Sequence, residues 1–248
     1  MRKILCEDKD GIHTEIAHVL NNIGAEYSEQ KGESKQENGA FIKEAISYCE
    51  RALAMQTKLY EEFDGKHPDL IETLENLSAY YSTKLDEEQS LAYARQAYDM
   101  QTHLFPNVDH PRTARLLLSI GESYANLAVK AKASGNNQLC IDYERTSTVE
   151  KFKANEMQRR IFNDRAHPDF AETLQSLGES YRKKNELDKA LEYCTKAYNM
   201  RRKIYEKRPH EHLIESLRGL HAVYFMLGNK NEADRFDEMI EEMEEGLN

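Results

Sequence analysis

A fifteen-residue pattern returns along this chain and constrains its fold more than any other feature. HPDLIETLENLSAYY starts at His67, HPRTARLLLSIGESY at His110, HPDFAETLQSLGESY at His167 and HEHLIESLRGLHAVY at His210, with a weaker copy, HTEIAHVLNNIGAEY, at His13. The intervals between starts are 54, 43, 57 and 43 residues. Leu20, Leu74, Leu117, Leu174 and Leu217 share one column, Ile23, Leu77, Ile120, Leu177 and Leu220 the next, and Tyr27, Tyr81, Tyr124, Tyr181 and Tyr224 a third. These columns are spaced i, i+3, i+7, which is one face of an α-helix. A repeat of this period is one supersecondary unit stacked on its neighbours.

A second helix follows in each unit. Ala52, Ala97, Ala154 and Ala197 form one of its columns and Met55, Met100, Met157 and Met200 another, with Ile240 and Met243 in those places at the end. Each unit is therefore helix A, a turn and helix B. Neither helix can bury its apolar stripe alone, so neighbouring units must stack. Gly24, Gly121 and Gly178 recur inside helix A, where glycine costs about 1 kcal/mol relative to alanine. Helix B is expected to approach closely there, and Cys49 and Cys194 hold matching helix B positions as small apolar residues.

Composition agrees. Five Pro and 11 Gly in 248 residues are too few breakers for a sheet protein rich in turns. No apolar run is long enough for a membrane span. The four cysteines lie far apart with no CxxC, which favours free thiols in a cytoplasmic protein. The net charge of -10 argues against nucleic acid as a partner, since gripping phosphates needs clustered Lys and Arg.

No catalytic motif is present: there is no Gly-rich phosphate loop, GxSxG or HExxH. His210 and His212 form an HxH too poor in further ligands for a metal site, and Glu61/Glu62 and Glu87/Glu88 read as solvated faces. The chain is read as a non-enzyme with no cofactor. His-Pro-Asp also marks the J-domain, but here it recurs with the repeat period, and Pro at the first helical position with Asp in the first turn suits a helix start.

Helix pairs with these Leu, Gly/Ser, Tyr and Ala columns resemble the tetratricopeptide repeat. The 43-residue interval, with HPDxAxTLxxLGxxY followed by AxxMRxxxY, is similar to the kinesin light chain subgroup, most clearly over His167–Tyr205. The resemblance implies an all-α, right-handed α-α superhelix of about five helix pairs plus a partial leading helix. The repeats would run over about 13–66, 67–109, 110–166, 167–209 and 210–246, making 1–248 a single solenoid. Residues 1–10 would close a preceding helix B, because Met1 precedes His13 as Met55 precedes His67, and the chain would then be a piece of a longer solenoid.

Two units depart from the pattern. The polar stretch KGESKQENGA, 31–40, is expected to be a flexible loop. The third unit carries 14 extra residues around a turn at Gly135–Asn137, enough to lengthen each helix by about two turns, near 10 Å, and push the hairpin out from one edge.

In tetratricopeptide arrays the A helices line a concave groove. Carried onto this sequence, the family's ligand-facing positions select Asn21, Glu72, Glu75, Arg115, Glu122, Gln175, Glu179, Arg182, Arg218 and Phe225. Asn21 alone echoes the carboxylate clamp of chaperone-binding arrays. Glu72, Glu75 and Glu122 would favour Lys or Arg in a ligand, while Arg182, Arg218 and Phe225 would take an acidic or aromatic residue. The implied partner is a protein or linear peptide of mixed charge bound by an adaptor-like scaffold. The alternative is a regulatory or targeting repeat region of a larger signalling protein or bacterial effector, packed against its own other domain.

Overall fold

The computed structural model describes residues 14–32, 34–61, 64–206 and 208–247. Among these the regular structure is entirely helical: α1 (Thr14–Glu29), α2 (Lys35–Leu59), α3 (Pro68–Thr83), α4 (Glu87–Leu104), α5 (Pro111–Ala133), α6 (Asn137–Phe162), α7 (Pro168–Lys183), α8 (Leu187–Ile204), α9 (Glu211–Met226) and α10 (Lys230–Glu245). Odd helices are the A helices and even ones the B helices, packed as consecutive hairpins. The chain divides into two compact units, residues 1–108 and 109–248. In the first, α3 packs on both α1 and α2; in the second, α7 packs beside α5 and α9, and α8 packs against α9. The segment 1–10, expected to end a helix B, lies outside the described residues.

The histidine at four of the starts is a cap. His67, His110, His167 and His210 have extended backbones, and each ring Nδ1 accepts the backbone N–H two residues on, at 3.3, 3.0, 3.2 and 3.1 Å. That satisfies one of the donors a helix start leaves open. Three of these rings also stack on the aromatic that ends the preceding B helix: Tyr60 on His67 at 3.8 Å, Phe162 on His167 at 4.0 Å and Tyr205 on His210 at 3.7 Å.

Within each hairpin the tyrosine column finds an aromatic on helix B. Tyr27 stacks on Tyr48, Tyr81 on Tyr93, Tyr181 on Tyr193 and Tyr224 on Phe236, with centroids 5.4–5.6 Å apart. The glycine column sits where the helices touch. A Cβ on Gly178 would lie 2.5 Å from Cys194 Sγ and 3.1 Å from Cys194 N, and one on Gly24 would lie 2.8 Å from Cys49 Sγ. Ala52, Ala97, Ala154 and Ala197 are fully buried, whereas the methionines beside them are only half-buried.

Two features of the odd units resolve differently. The 31–40 stretch is helical over most of its length and not a loop throughout: α2 begins at Lys35. Ser34 Oγ accepts from Glu37 N while Glu37 accepts from Ser34 N, a reciprocal capping box that starts the helix despite the polar sequence. The third hairpin does lengthen as expected. α5 has 23 residues against 16 in α7, and α6 has 26 against 18 in α8. Its turn passes through Gly135 at φ 78°, a left-handed conformation glycine adopts without a Cβ penalty.

Candidate functional site

The side-by-side A helices α5, α7 and α9 bring the expected groove positions of the second unit onto one face. Gln175, Glu179, Arg182 and Arg218 line a single cavity of about 280 Å³ between α7 and α9, with Glu215, Cys194, Gly219 and Ala222. Arg182 donates to Glu179 at 3.0 Å, and Arg218 to Glu244 of α10 at 2.7 Å. Glu122 of α5 joins through Ser176 of α7, whose Oγ donates to its carboxylate at 3.4 Å. Arg115 is exposed on α5, and Phe225 is 70% exposed at the end of α9 without lining this cavity. In the first unit Glu72 is exposed and Glu75 half-buried on α3.

Two selected residues have little surface to offer. Asn21 is 3% exposed, and its amide donates to Thr73 Oγ1 at 2.5 Å. It ties α1 to α3 and has no clamp-like access. Gln175 is 7% exposed, with its amide nitrogen packed where a Cβ on Gly219 would fall.

The face carries a carboxylate cluster that mutual repulsion and crowding make unfavourable. Glu122 is open to solvent yet hemmed in by neighbouring helices, so burial pushes its carboxyl above the ordinary range; Lys151 opposes the shift, and Glu172 and Glu215 add to it. Glu172 is raised likewise, by burial and then by Asp169, with Arg201 opposing and Glu215 adding. Side chains held this way favour a cation from outside.

Sequence reasoning missed two residues behind this face. Lys151 of α6 is 4% exposed and stands in the column that holds Cys49, Ala94 and Cys194 elsewhere. Its Nζ donates to Ser180 Oγ at 3.1 Å, and burial lowers its pKa to about 8 against the opposing pull of Glu122. A charge in a column of small residues was the available signal. Arg201 of α8, also 4% exposed, donates to His212 O and Ser216 Oγ at 2.8 Å and pairs with Glu215 at 3.1 Å. It continues a buried polar column, Gln56, Gln101 and Gln158, that directly follows the methionine column.

Cys49, Cys140 and Cys194 are buried free thiols. Among the described residues no three His, Cys, Asp or Glu side chains converge as a metal site, and no helix is long and apolar enough to cross a membrane.

Helix hairpins with a close A/B crossing, stacked through B-to-A contacts, define the tetratricopeptide class of α-solenoid. Residues 170–212 match the sequence model of the tetratricopeptide repeat family. Among solved structures, a Podosopora anserina protein described as a kinesin light chain with nearly identical TPR-like repeats superposes with a TM-score of 0.68 at 15% identity, covering 93% of this chain and 95% of that one. BtubC (BKLC) from P. vanneervenii gives 0.66 at 12% identity, over 94% and 91%. The apo form of RapI gives 0.60 at 14% identity, over 98% and 86%. No curated protein sequence matches significantly. The fold is thus that of tetratricopeptide-repeat proteins, and the resemblance to kinesin light chain-type repeats holds at the level of structure.

Proposed function

We propose that this protein is a non-catalytic, adaptor-like scaffold that holds a linear peptide or protein segment on the face of its A helices. The observation that carries the reading is the α7–α9 cavity, where Glu179, Arg182, Glu215 and Arg218 meet from two repeats. Side chains that adjacent hairpins bring together over a polar cavity suit recognition of a polar chain of mixed charge. The carboxylates Glu122, Glu172 and Glu215 favour Lys or Arg in the ligand, and Arg182 and Arg218 an acidic residue. Similarity to solved repeat proteins named as kinesin light chains is consistent with a binding role.

The test is a pull-down with identification by mass spectrometry, comparing wild type with the double variant Glu179→Lys, Arg218→Glu. Both positions are exposed, so the helical circular dichroism should be unchanged. Partners lost with the variant would place the site on this face; partners retained equally would move it elsewhere.

A further inference from the structure

The lengthened α5–α6 hairpin creates a surface that its neighbours lack. α5 starts with the same His-Pro cap as α7 but runs seven residues further, about 10 Å at 1.5 Å per residue. The α7–α8 hairpin ends short of it. The uncovered flank of α5 and the start of α6 form one wall of a cavity of about 590 Å³, and the end of α7 forms its floor. The wall is of small apolar residues, Ala125, Ala128, Val129 and Ala133, with Cys140 of α6. Val129 is 57% exposed, left largely open by the described residues of the second unit. The rim is basic: Lys132 on α5, and Arg182 and Lys183 in the last turn of α7. One carboxylate, Glu144 of α6, lies within the lining, on the side of Cys140, whose thiol donates to it at 3.7 Å.

In a solenoid, the flank of each A helix is covered by the A helix of the next repeat. Here that cover stops at Lys183, two turns early. A wall of alanine and valine lets another helix approach closely, since interaxial distance is set by side-chain size. At the floor, a helix continuing the line of α7 would set its own N-terminus against the C-terminus of α7. Opposite dipole ends would then meet, and acidic residues in its first turn would face Lys132, Arg182 and Lys183.

We propose that this ledge docks an amphipathic α-helix of a partner protein, with an acidic first turn on the basic rim and small or medium apolar side chains on the Ala128–Val129 wall. This site shares Arg182 and no other lining residue with the α7–α9 cavity, and it does not depend on the function proposed for that cavity.

The test uses a display library of helical 16-residue peptides with randomised first turns and faces, selected on the full chain. The expected winners carry Asp or Glu in the first turn and an apolar i, i+4 pair. Their affinity, read by fluorescence anisotropy, should fall at least tenfold with Val129→Glu and with Lys132→Glu/Lys183→Glu. The latter should regain binding to a peptide whose first-turn acids are replaced by Lys. All these positions are exposed, so circular dichroism should be unchanged. Arg218→Glu, at a position that lines the α7–α9 cavity but not this ledge, should leave the affinity alone, which separates this site from the groove. Winners insensitive to the ledge variants, winners that are extended and proline-rich, self-association through the ledge without peptide capture, or no enrichment over an unrelated helical protein would each overturn the proposal.

Discussion

Replacing Lys151 by Met should make the protein more stable at neutral pH although it removes a hydrogen bond and a charge pair. Burial lowers the ammonium from its ordinary value of 10.5 to about 8, with Glu122 pulling the other way. Each pKa unit is worth about 1.4 kcal/mol, so keeping this lysine charged in the fold costs roughly 3 kcal/mol. Against that, the bond to Ser180 contributes about 1 kcal/mol. Ser180 keeps a partner of its own, since its hydroxyl also donates to Ser176 O at 3.0 Å. Methionine fills similar volume beside Gly121, whose missing Cβ would lie 2.6 Å from Lys151 Cγ. The net expectation is a gain of about 1–2 kcal/mol at pH 7.

The pH dependence gives the sharper test. Between about 8 and 10.5 the folded protein holds fewer protons on this side chain than the unfolded chain does. Stability rises with pH wherever the unfolded state binds more protons. Wild type should therefore gain on the variant as pH climbs through that window. Urea unfolding of both proteins at several pH values from 7 to 10 measures the gap, and subtraction removes the tyrosines and other lysines that titrate there. A gap that stays constant with pH, or a variant less stable than wild type at pH 7, would refute the account of a desolvated ammonium.

Other substitutions follow from the same contacts. Gly178→Ala should destabilise by about 1–3 kcal/mol in thermal or urea unfolding, because the added Cβ meets the backbone of α8 at Cys194 N and overpacking outweighs the usual helical preference for alanine. Arg201→Ala should cost about 2–4 kcal/mol by leaving Ser216 and His212 O without their buried donor, and a loss below 1 kcal/mol would count against that role. Leu85, 68% exposed and at φ 64°, stands where other hairpins have Asn185 or Gly228, so Leu85→Gly should raise unfolding stability by about 1 kcal/mol. Acidification should weaken a Lys/Arg-rich peptide on the α5–α7–α9 face, because the raised carboxyls of Glu122 and Glu172 take up protons sooner than ordinary ones; anisotropy titrations across the carboxylate range would show it.

The apolar architecture was legible because it repeats. The Leu, Ala and Gly columns recur at helical spacing, and packing demands nothing beyond that pattern, so both helices of each pair and their close crossing follow from sequence. What escaped was local and polar. The Ser34–Glu37 capping box hides in a stretch whose composition reads as loop, because a cap depends on two positions and not on the average polarity around them. The histidine column caps through a ring nitrogen, an unusual use of that side chain. For the groove, the register was enough to gather Gln175, Glu179, Arg182 and Arg218 at one cavity. It could not show that Asn21 is consumed by Thr73, since that bond joins helices 52 residues apart.

The buried polar column bears on how binding and fold are linked. Contacts inside a hairpin are mainly apolar and aromatic, as in Tyr181 on Tyr193 and Gly178 against Cys194, although Ser147 Oγ donates to Gly121 O at 2.6 Å and Ser78 pairs with Ser90 at 3.3 Å. Contacts from a B helix to the next A helix add directed hydrogen bonds: Thr73 Oγ1 donates to Gln56 at 2.7 Å, Gln158 donates to Asp169 O at 3.2 Å, and Arg201 donates to Ser216 at 2.8 Å. Apolar contacts tolerate sliding, whereas a buried hydrogen bond fixes its partners, because leaving either unpaired costs about 1–3 kcal/mol. Within each compact unit the polar column thus sets the register between neighbouring hairpins, and that register sets the spacing of side chains along the A-helix face. In the last junction the two roles meet. Arg201 reaches from behind the A helices to Glu215, which also lines the α7–α9 cavity. A ligand cation that engages Glu215 must share it with Arg201, so its binding acts on the α8–α9 junction as well as on the surface.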